Sequence, residues 1–471
     1  MSERRYITTT LPYVNADPHI GFALEVVQAD ATARYERALG HEVCFNTGTD
    51  EHGQKIWKKA QEEEREPQSY VDEAVQRFAI LKEKLNLSYT HFIRTSDPVH
   101  VHAAQEFWKR CDANGDIYKK KYQVRYCVGC ELEKTDSDLE GGKCPLHPQL
   151  DLELIDEENY FFRFSKYQDA LLALYSNAQF VLPDTRMNEV KSFVSHGLQD
   201  FSISRVKEKM PWGIEVPGDS TQVMYVWFDA LVNYVSTIGW PERMEEFETW
   251  WPVVQFAGKD NTRQQAAMWQ AMLLSAGLPP SEQIVIHGFI TSGGAKMSKS
   301  QGNVIDPIAI VDEYGTDALR YYLLREVSPF EDSDFTIEKF KESYNGNLAN
   351  GLGNLASRIL KMAETNLDTP VRVTVESAPH DYMAAMNAYR YNDAMDVIWK
   401  LIGEADARIA ETEPFKLVKT DADAGKKIIT ELVQSLATIA ELLVPCMPGT
   451  AEAIHTAIRE HRTPSPLFMR K

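Results

Sequence analysis

Aromatic and β-branched residues fill positions 6–9 as they do in a strand. From Ile20 the apolar residues recur at Ala23, Val27, Ala31 and Tyr35, the spacing of one helix face. Pro12 and Pro18 bracket a turn between the two. The stretch Thr8-Thr9-Thr10-Leu11-Pro12-Tyr13-Val14-Asn15-Ala16-Asp17-Pro18-His19-Ile20-Gly21-Phe22 therefore predicts a tight passage from strand to helix. Gly40 marks the helix end, and residues 42–46 read as a second strand running into Thr47-Gly48-Thr49-Asp50-Glu51-His52-Gly53. Strand, helix and strand make a βαβ unit, whose ligands gather at the carboxyl ends of the strands, where Asp50 lies. Residues 54–85 read as two helices broken near Pro67, with Tyr70, Val71, Ala74, Phe78 and Leu81 on the apolar face. Strand patterns return at 157–164, 200–205, 223–229, 253–260 and 284–287, with a helix over 261–274. Asp306-Pro307 opens another helix with a good cap and a proline at its first position. From about Phe335 to the end the pattern is helical.

A chain of 471 residues predicts two to four domains. Its balance of 44% hydrophobic and 25% charged residues is that of an ordinary globular protein. No apolar run reaches the ~18 residues of a membrane span, and no signal-like segment precedes the first strand, so no membrane partner and a cytoplasmic location are expected. The net charge of -19 argues against a general nucleic-acid coat. Local patches still count, and Lys119-Lys120-Lys121 and the group Lys416, Lys419, Lys426 and Lys427 are candidates. Of the cysteines, Cys127 and Cys130, followed by Cys144 and His147, form two closely spaced pairs of soft ligands that suit one tetrahedral Zn²⁺. Four protein ligands leave no open position, so this zinc is read as structural.

At the start of the first helix, unpaired N–H groups and the helix dipole would favour a phosphate, with His19 as a side-chain donor and Gly21 giving close access to the backbone. Far downstream, Gly293-Gly294-Ala295-Lys296-Met297-Ser298-Lys299-Ser300 forms a cationic loop that could close on a polyphosphate. The first stretch resembles the His-Ile-Gly-His signature of class I aminoacyl-tRNA synthetases and the second matches their Lys-Met-Ser-Lys-Ser signature. The surrounding residues resemble the methionyl branch of that family over nearly the whole chain. A generic P-loop kinase is disfavoured, since no G-x-x-x-x-G-K-[ST] loop occurs.

The resemblance implies an α/β architecture: a Rossmann-type parallel-sheet catalytic domain (1–114 and 201–287) split by a zinc-binding connective insertion (115–200). A Lys-Met-Ser-Lys-Ser and stem-contact region (288–340) and a helical anticodon-binding domain (341–471) follow. It implies ligation of L-methionine to tRNA(Met) with Mg and ATP, through an adenylate. His19, Lys296 and Lys299 would be catalytic. Thr10, Leu11, Tyr13, Asp50, Trp227, Ala230 and Tyr234 would bind methionine, with Asp50 on its ammonium. His19, Gly21, Glu25, Gly258, Lys259, Asp260, His287, Ile290 and Lys299 would bind ATP, the stretch Gly288-Phe289-Ile290 lying along the adenine. Asn354, Arg358 and Phe415 would read the anticodon, with Asn347, Asn350, Asn354 and Arg358 on one helix face. A monomer is expected, because the chain stops at Lys471 without the appended domain of many relatives. Synthetases for valine, leucine or isoleucine carry a large editing insertion for which the interval here is too short. A noncatalytic tRNA-binding or regulatory paralogue is the other rival, motivated by Phe22. Phe22 replaces the second signature histidine, and loss of such a donor is expected to cost ~3 kcal/mol of charge stabilisation. Gln265 stands in place of a pocket histidine, Asn261 in place of an apolar residue, and Phe415 in place of tryptophan.

Overall fold

The computed structural model describes residues 3–130, 132–134, 136–297, 303–374 and 377–471. Six strands form one parallel sheet in the order His91–Arg94, Glu42–Thr49, Arg4–Thr8, Val253–Gly258, Gln283–His287 and Val181–Leu182. The inner strands are buried almost without a break, polar residues included, because both faces of the sheet are covered; Val253–Gly258 is buried throughout. Chain order reverses between Arg4–Thr8 and Val253–Gly258, a switch point at which parallel sheets open a crevice at their carboxyl ends.

The first helix, Ile20–Ala38, is buried on nearly every side, so its polar residues need partners from other parts of the chain. Thr32 Oγ1 meets Tyr391 Oη at 2.8 Å. Asp30 accepts from Ser88 and Arg34 and pairs with Arg320. One continuous hydrophobic cluster runs from Ile7 and Ile20 through Leu319 and Leu323 to Ile398 and Leu436, so the sheet and the C-terminal helices share a core.

Two antiparallel strands, Ile117–Cys127 and Glu153–Phe162, leave the parallel sheet as a ribbon, and Leu132–Lys134 and Phe201–Ser202 complete its sheet. The chain rejoins the parallel sheet at Val181–Leu182, inside the 115–200 span. The strand pattern at 223–229 resolves into a strand, Asp219–Met224, and a short helix, Val226–Ala230. The 261–274 pattern becomes a π-helical turn, Gln264–Met268, followed by Trp269–Ser275. After Ser333–Phe335 all regular structure is helical among the described residues. No described helix is long and apolar enough to cross a membrane.

Candidate active site

The passage at residues 9–19 ends on His19 as helix cap, its Nδ1 accepting from the Gly21 N–H at 3.1 Å. An accepting Nδ1 places the ring proton on Nε2, so His19 offers one outward donor. Surrounding protein lowers its pKa from 6.5 by desolvation, against the pull of Asp260, and the neutral ring is favoured. A Cβ at residue 21 would lie 2.9 Å from the His19 ring, so only glycine permits this cap.

The helix start differs from the expectation of unpaired N–H groups. Ile20 N–H donates to the Ile305 carbonyl at 3.1 Å, Gly21 N–H to His19 Nδ1, and Phe22 N–H to the His19 carbonyl at 3.0 Å. The seat's donor is thus the imidazole rather than the backbone. Phe22 meets Phe78 edge to face at 5.9 Å and packs in an apolar cluster with Phe92, an environment that suits a phenyl ring and not a second imidazole.

Both approaches to the lysine loop arrive here. Met297 Cε lies 3.8 Å from a Cβ built on Gly21, and Ile305 holds the Ile20 amide from the other side. The hairpin Ile290–Ser292 and Ala295–Lys296 leads in, turning at Gly293 and Gly294, whose φ values of 61° and 77° favour glycine. Lys296 pairs through its backbone with Thr291; Lys299 lies outside the described residues.

Asp50 sits at the carboxyl end of Glu42–Thr49, bridged through its backbone to Tyr13, with Thr95 Oγ1 3.5 Å from its carboxylate. Its neighbour Glu51 is tied to Arg94 by two bonds of 2.8 Å and to Thr49 and Ser96, so the strand end is rigid. Leu11 and Tyr13 border the same turn. Trp227 and Ala230 share the helix Val226–Ala230, and Tyr234 follows, buried against Trp269 at 5.8 Å. The indole N–H of Trp227 is buried with no hydrogen-bond partner among the described residues.

On the same short helix as Trp227, the wholly buried Asp229 carboxylate is held by His52 Nδ1 at 2.7 Å and His100 Nε2 at 2.8 Å. Burial alone would raise its pKa, but the two histidines outweigh it and hold the carboxyl below its ordinary range. Gln265 is buried beside Tyr234, its Oε1 accepting from Gln255 Nε2 at 3.0 Å. Asp229, His52, His100 and Gln255 escaped the sequence reading. Asp229, Gln255 and His100 each carry the signal of a polar residue set among apolar ones, whereas His52, in Asp50-Glu51-His52-Gly53, carries none.

On the nucleotide side, Gly258 ends its strand where a Cβ would stand 2.9 Å from Asp260 Oδ1. Lys259 pairs with Asp332 at 2.6 Å and lies over the Phe289 ring. A Cβ on Gly288 would strike the Glu331 backbone at 2.3 Å. His287 is buried against Glu25, which also accepts from the Thr10 N–H and hydroxyl, and Ile290 is buried.

Cys127, Cys130, Cys144 and His147 come together, their ligand atoms all within 4.8 Å of one another. Cys130 Sγ lies 3.5 Å from Cys144 Sγ and 3.3 Å from His147 Nδ1. A Cβ at Gly129 would sit 2.4 Å from the His147 ring, so the turn between the first two cysteines is shaped around the histidine. Three thiols and an imidazole at this separation can hold one tetrahedral zinc.

The amide row is not a single α-helical face. Residues Tyr344–Gly353 form a π-helix, whose wider turn breaks three- and four-residue spacing, although Asn347, Asn350, Asn354 and Arg358 all stay outside the core. Arg358 pairs with Asp406 at 2.5 Å, and Phe415 is 43% exposed on the turn Pro414–Leu417. Of the lysine patches, Lys119 pairs with Asp219, Lys416 with Glu413 and Lys426 with Asp368.

The profile of the family "tRNA synthetases class I (M)" matches residues 5–155 and 149–360. A methionine–tRNA ligase of Thermosynechococcus vestitus is 42% identical over 97% of this chain and 90% of its own length. One from Thermotoga maritima is 38% identical over 98% and 76%. Methionyl-tRNA synthetase of Mycobacterium tuberculosis in complex with methionyl-adenylate superposes with a TM-score of 0.90 at 37% identity, covering 96% of this chain and 93% of that one.

Proposed function

Since the chain belongs to the methionyl class I tRNA synthetases, we propose that the crevice between residues 9–21 and 287–305 is where it activates its amino acid. The reaction is ATP-dependent ligation of L-methionine to its tRNA through methionyl-adenylate, releasing AMP and pyrophosphate. The observation that carries the placement is the convergence of Met297 and Ile305 on the start of the first helix, which brings the two signature stretches to one point.

In this reading the methionine carboxylate attacks the α-phosphate of Mg·ATP in line, and the protein contributes position and charge compensation. Asp50 holds the ammonium. Thr10, Leu11, Tyr13, Trp227, Ala230 and Tyr234 enclose the thioether chain, for which aromatic rings are good neighbours. His19 Nε2–H donates to the phosphates, while Lys296 and Lys299 neutralise departing pyrophosphate. Gly258, Lys259 and Asp260 meet the ribose and phosphates. Lys259 would exchange Asp332 for phosphate as ATP enters, and Gly21, Glu25, His287 and Ile290 frame the nucleotide. Asn354, Arg358 and Phe415 form the anticodon face, Phe415 as the stacking ring. The domain division 1–114, 115–200, 201–287, 288–340 and 341–471 accompanies this reading, with Val181–Leu182 returned to the catalytic sheet.

ATP–pyrophosphate exchange with each amino acid supplied alone tests the assignment. Methionine-dependent exchange is expected. Exchange driven by another amino acid would shift the substrate and point to Gln265 and Asn261; none at all would favour a noncatalytic tRNA-binding role. His19→Ala is expected to slow exchange about a hundredfold with little change in methionine binding, the cost of one donor to developing charge. Equal loss in both would remove His19 from the phosphates.

A further inference from the structure

His287 ends the strand Gln283–His287 with both ring nitrogens engaged. Nδ1 is 2.7 Å from the Gly288 carbonyl oxygen, which can only accept. Nε2 is 3.0 Å from Glu25 Oε2. The other oxygen of that carboxylate, Oε1, accepts from the Thr10 N–H at 2.7 Å and the Thr10 hydroxyl at 2.6 Å. A neutral imidazole has one donor and one acceptor nitrogen, so two acceptors require either a cationic ring or a protonated Glu25. Two donated bonds on Oε1 favour the ionised carboxylate, and a shared proton goes to the more basic imidazole.

We propose that His287 is an imidazolium that works as a positioning residue: through Glu25 and Thr10 it locks the methionine turn and the adenine strand into one frame. Glu25 is 4% and His287 5% exposed, so little solvent screens the pair. The chain from Gly288 to His287, Glu25 and Thr10 spans the switch point of the sheet. Losing the cation at one end therefore loosens both substrate seats together.

The charged surroundings point the same way. Facing His287 are Glu25 from the first helix and Asp260 from the turn after Val253–Gly258; burial lowers the ring's pKa, but these carboxylates and the Gly288 carbonyl outweigh it and raise it above 6.5. Beside Asp260, Lys259 is turned to Asp332, and the neutral-favoured His19 shares the field of Asp260. Tyr234 faces Glu25, and burial, with Glu25 adding to it, raises its pKa far above neutrality, so it stays uncharged. The sign follows: the frame is complete while His287 is protonated and is lost as pH rises through its raised pKa.

The test uses the full-length protein labelled with ¹⁵N-histidine, the His287 ring being identified by the resonance that moves in Glu25→Gln or, should that variant not fold, in Glu25→Asp. Two protonated ring nitrogens at pH 7.5 without substrate are expected. An unprotonated Nε2 at that pH overturns the proposal. The kinetic arm rests on the substrate seats assigned above: KM for methionine and for ATP should rise together along an alkaline limb that Glu25→Gln moves about 1–3 pH units lower. A purely structural contact would lower stability and leave the limb in place, and an unmoved limb overturns the positioning role. Absence of methionine-dependent exchange in the parent protein would instead overturn the assigned seats, while the ring's protonation is read independently of them.

Discussion

Removing zinc with a chelator, or replacing Cys130 by serine, is expected to unfold the turns at residues 127–150 and leave the parallel sheet standing. The four donors sit around two turns that have little apolar support: Leu146 and Leu150 are 53% and 38% exposed, and the buried groups there include Cys127 and Cys144 themselves. Structural zinc in small knuckles contributes about 10–16 kcal/mol of folding free energy at neutral pH, far more than these turns could gather from burial. The ribbon below is different, because Ile117–Cys127 and Glu153–Phe162 pair rung by rung from Ile117↔Phe162 to Tyr126↔Glu153. Hydrogen exchange should therefore show a boundary: amides of the knuckle lose protection and amides near Ile117 keep it. Zinc content near one per chain, lost in parallel with that protection and more readily at acid pH as thiolates take up protons, completes the expectation. Protected knuckle amides in metal-free protein would show that contacts among the side chains suffice.

The cysteine pairs were legible because tetrahedral ligation needs close spacing, and spacing is a sequence property. The first helix was legible only in part. Its stripe of Ile20, Ala23, Val27, Ala31 and Tyr35 gave the element, but a stripe predicts one buried face and this helix is buried on nearly all sides. The stripe assigns no partners to Glu25, Asp30 and Thr32; those partners, His287, Arg320 and Tyr391, lie hundreds of residues away, beyond any periodicity. The same distance hides the Ile305 carbonyl, which takes the amide that the sequence alone leaves open for phosphate. Phe22 read as a lost donor because a signature was missing one member, whereas the fold shows an apolar niche beside Phe78. The π-helix at Tyr344–Gly353 was invisible for another reason: its buried positions Tyr344, Leu348 and Leu352 fit an α-helical spacing equally well.

Arg320→Leu is expected to destabilise the joint between the catalytic sheet and the C-terminal helices by about 3–5 kcal/mol, the cost of leaving a buried partner uncompensated. The guanidinium is wholly buried, 2.8 Å from Asp30 Oδ2, and donates to the carbonyls of Cys446, Leu85 and Pro445 at 2.8, 3.0 and 3.0 Å. It therefore ties the first helix, the turn after residue 84 and the approach to the last helix at a single point. Burial alone would raise the Asp30 pKa, but Arg320, then Arg34 and Ser88, more than offset it and hold it below 3.8. For a depressed carboxyl the stabilisation is full above the unfolded value and is lost as pH falls through the folded one, so the joint should weaken only in acid below about pH 4. In Arg320→Leu that acid transition should begin at higher pH, and the urea midpoint at neutral pH should fall. Asp30→Leu combined with Arg320→Leu should recover part of the loss, since removing both charges spares the cost of an unpaired one. A single-variant loss below ~1 kcal/mol would place this pair with exposed ion pairs and leave the shared hydrophobic core as the main tie between sheet and helices.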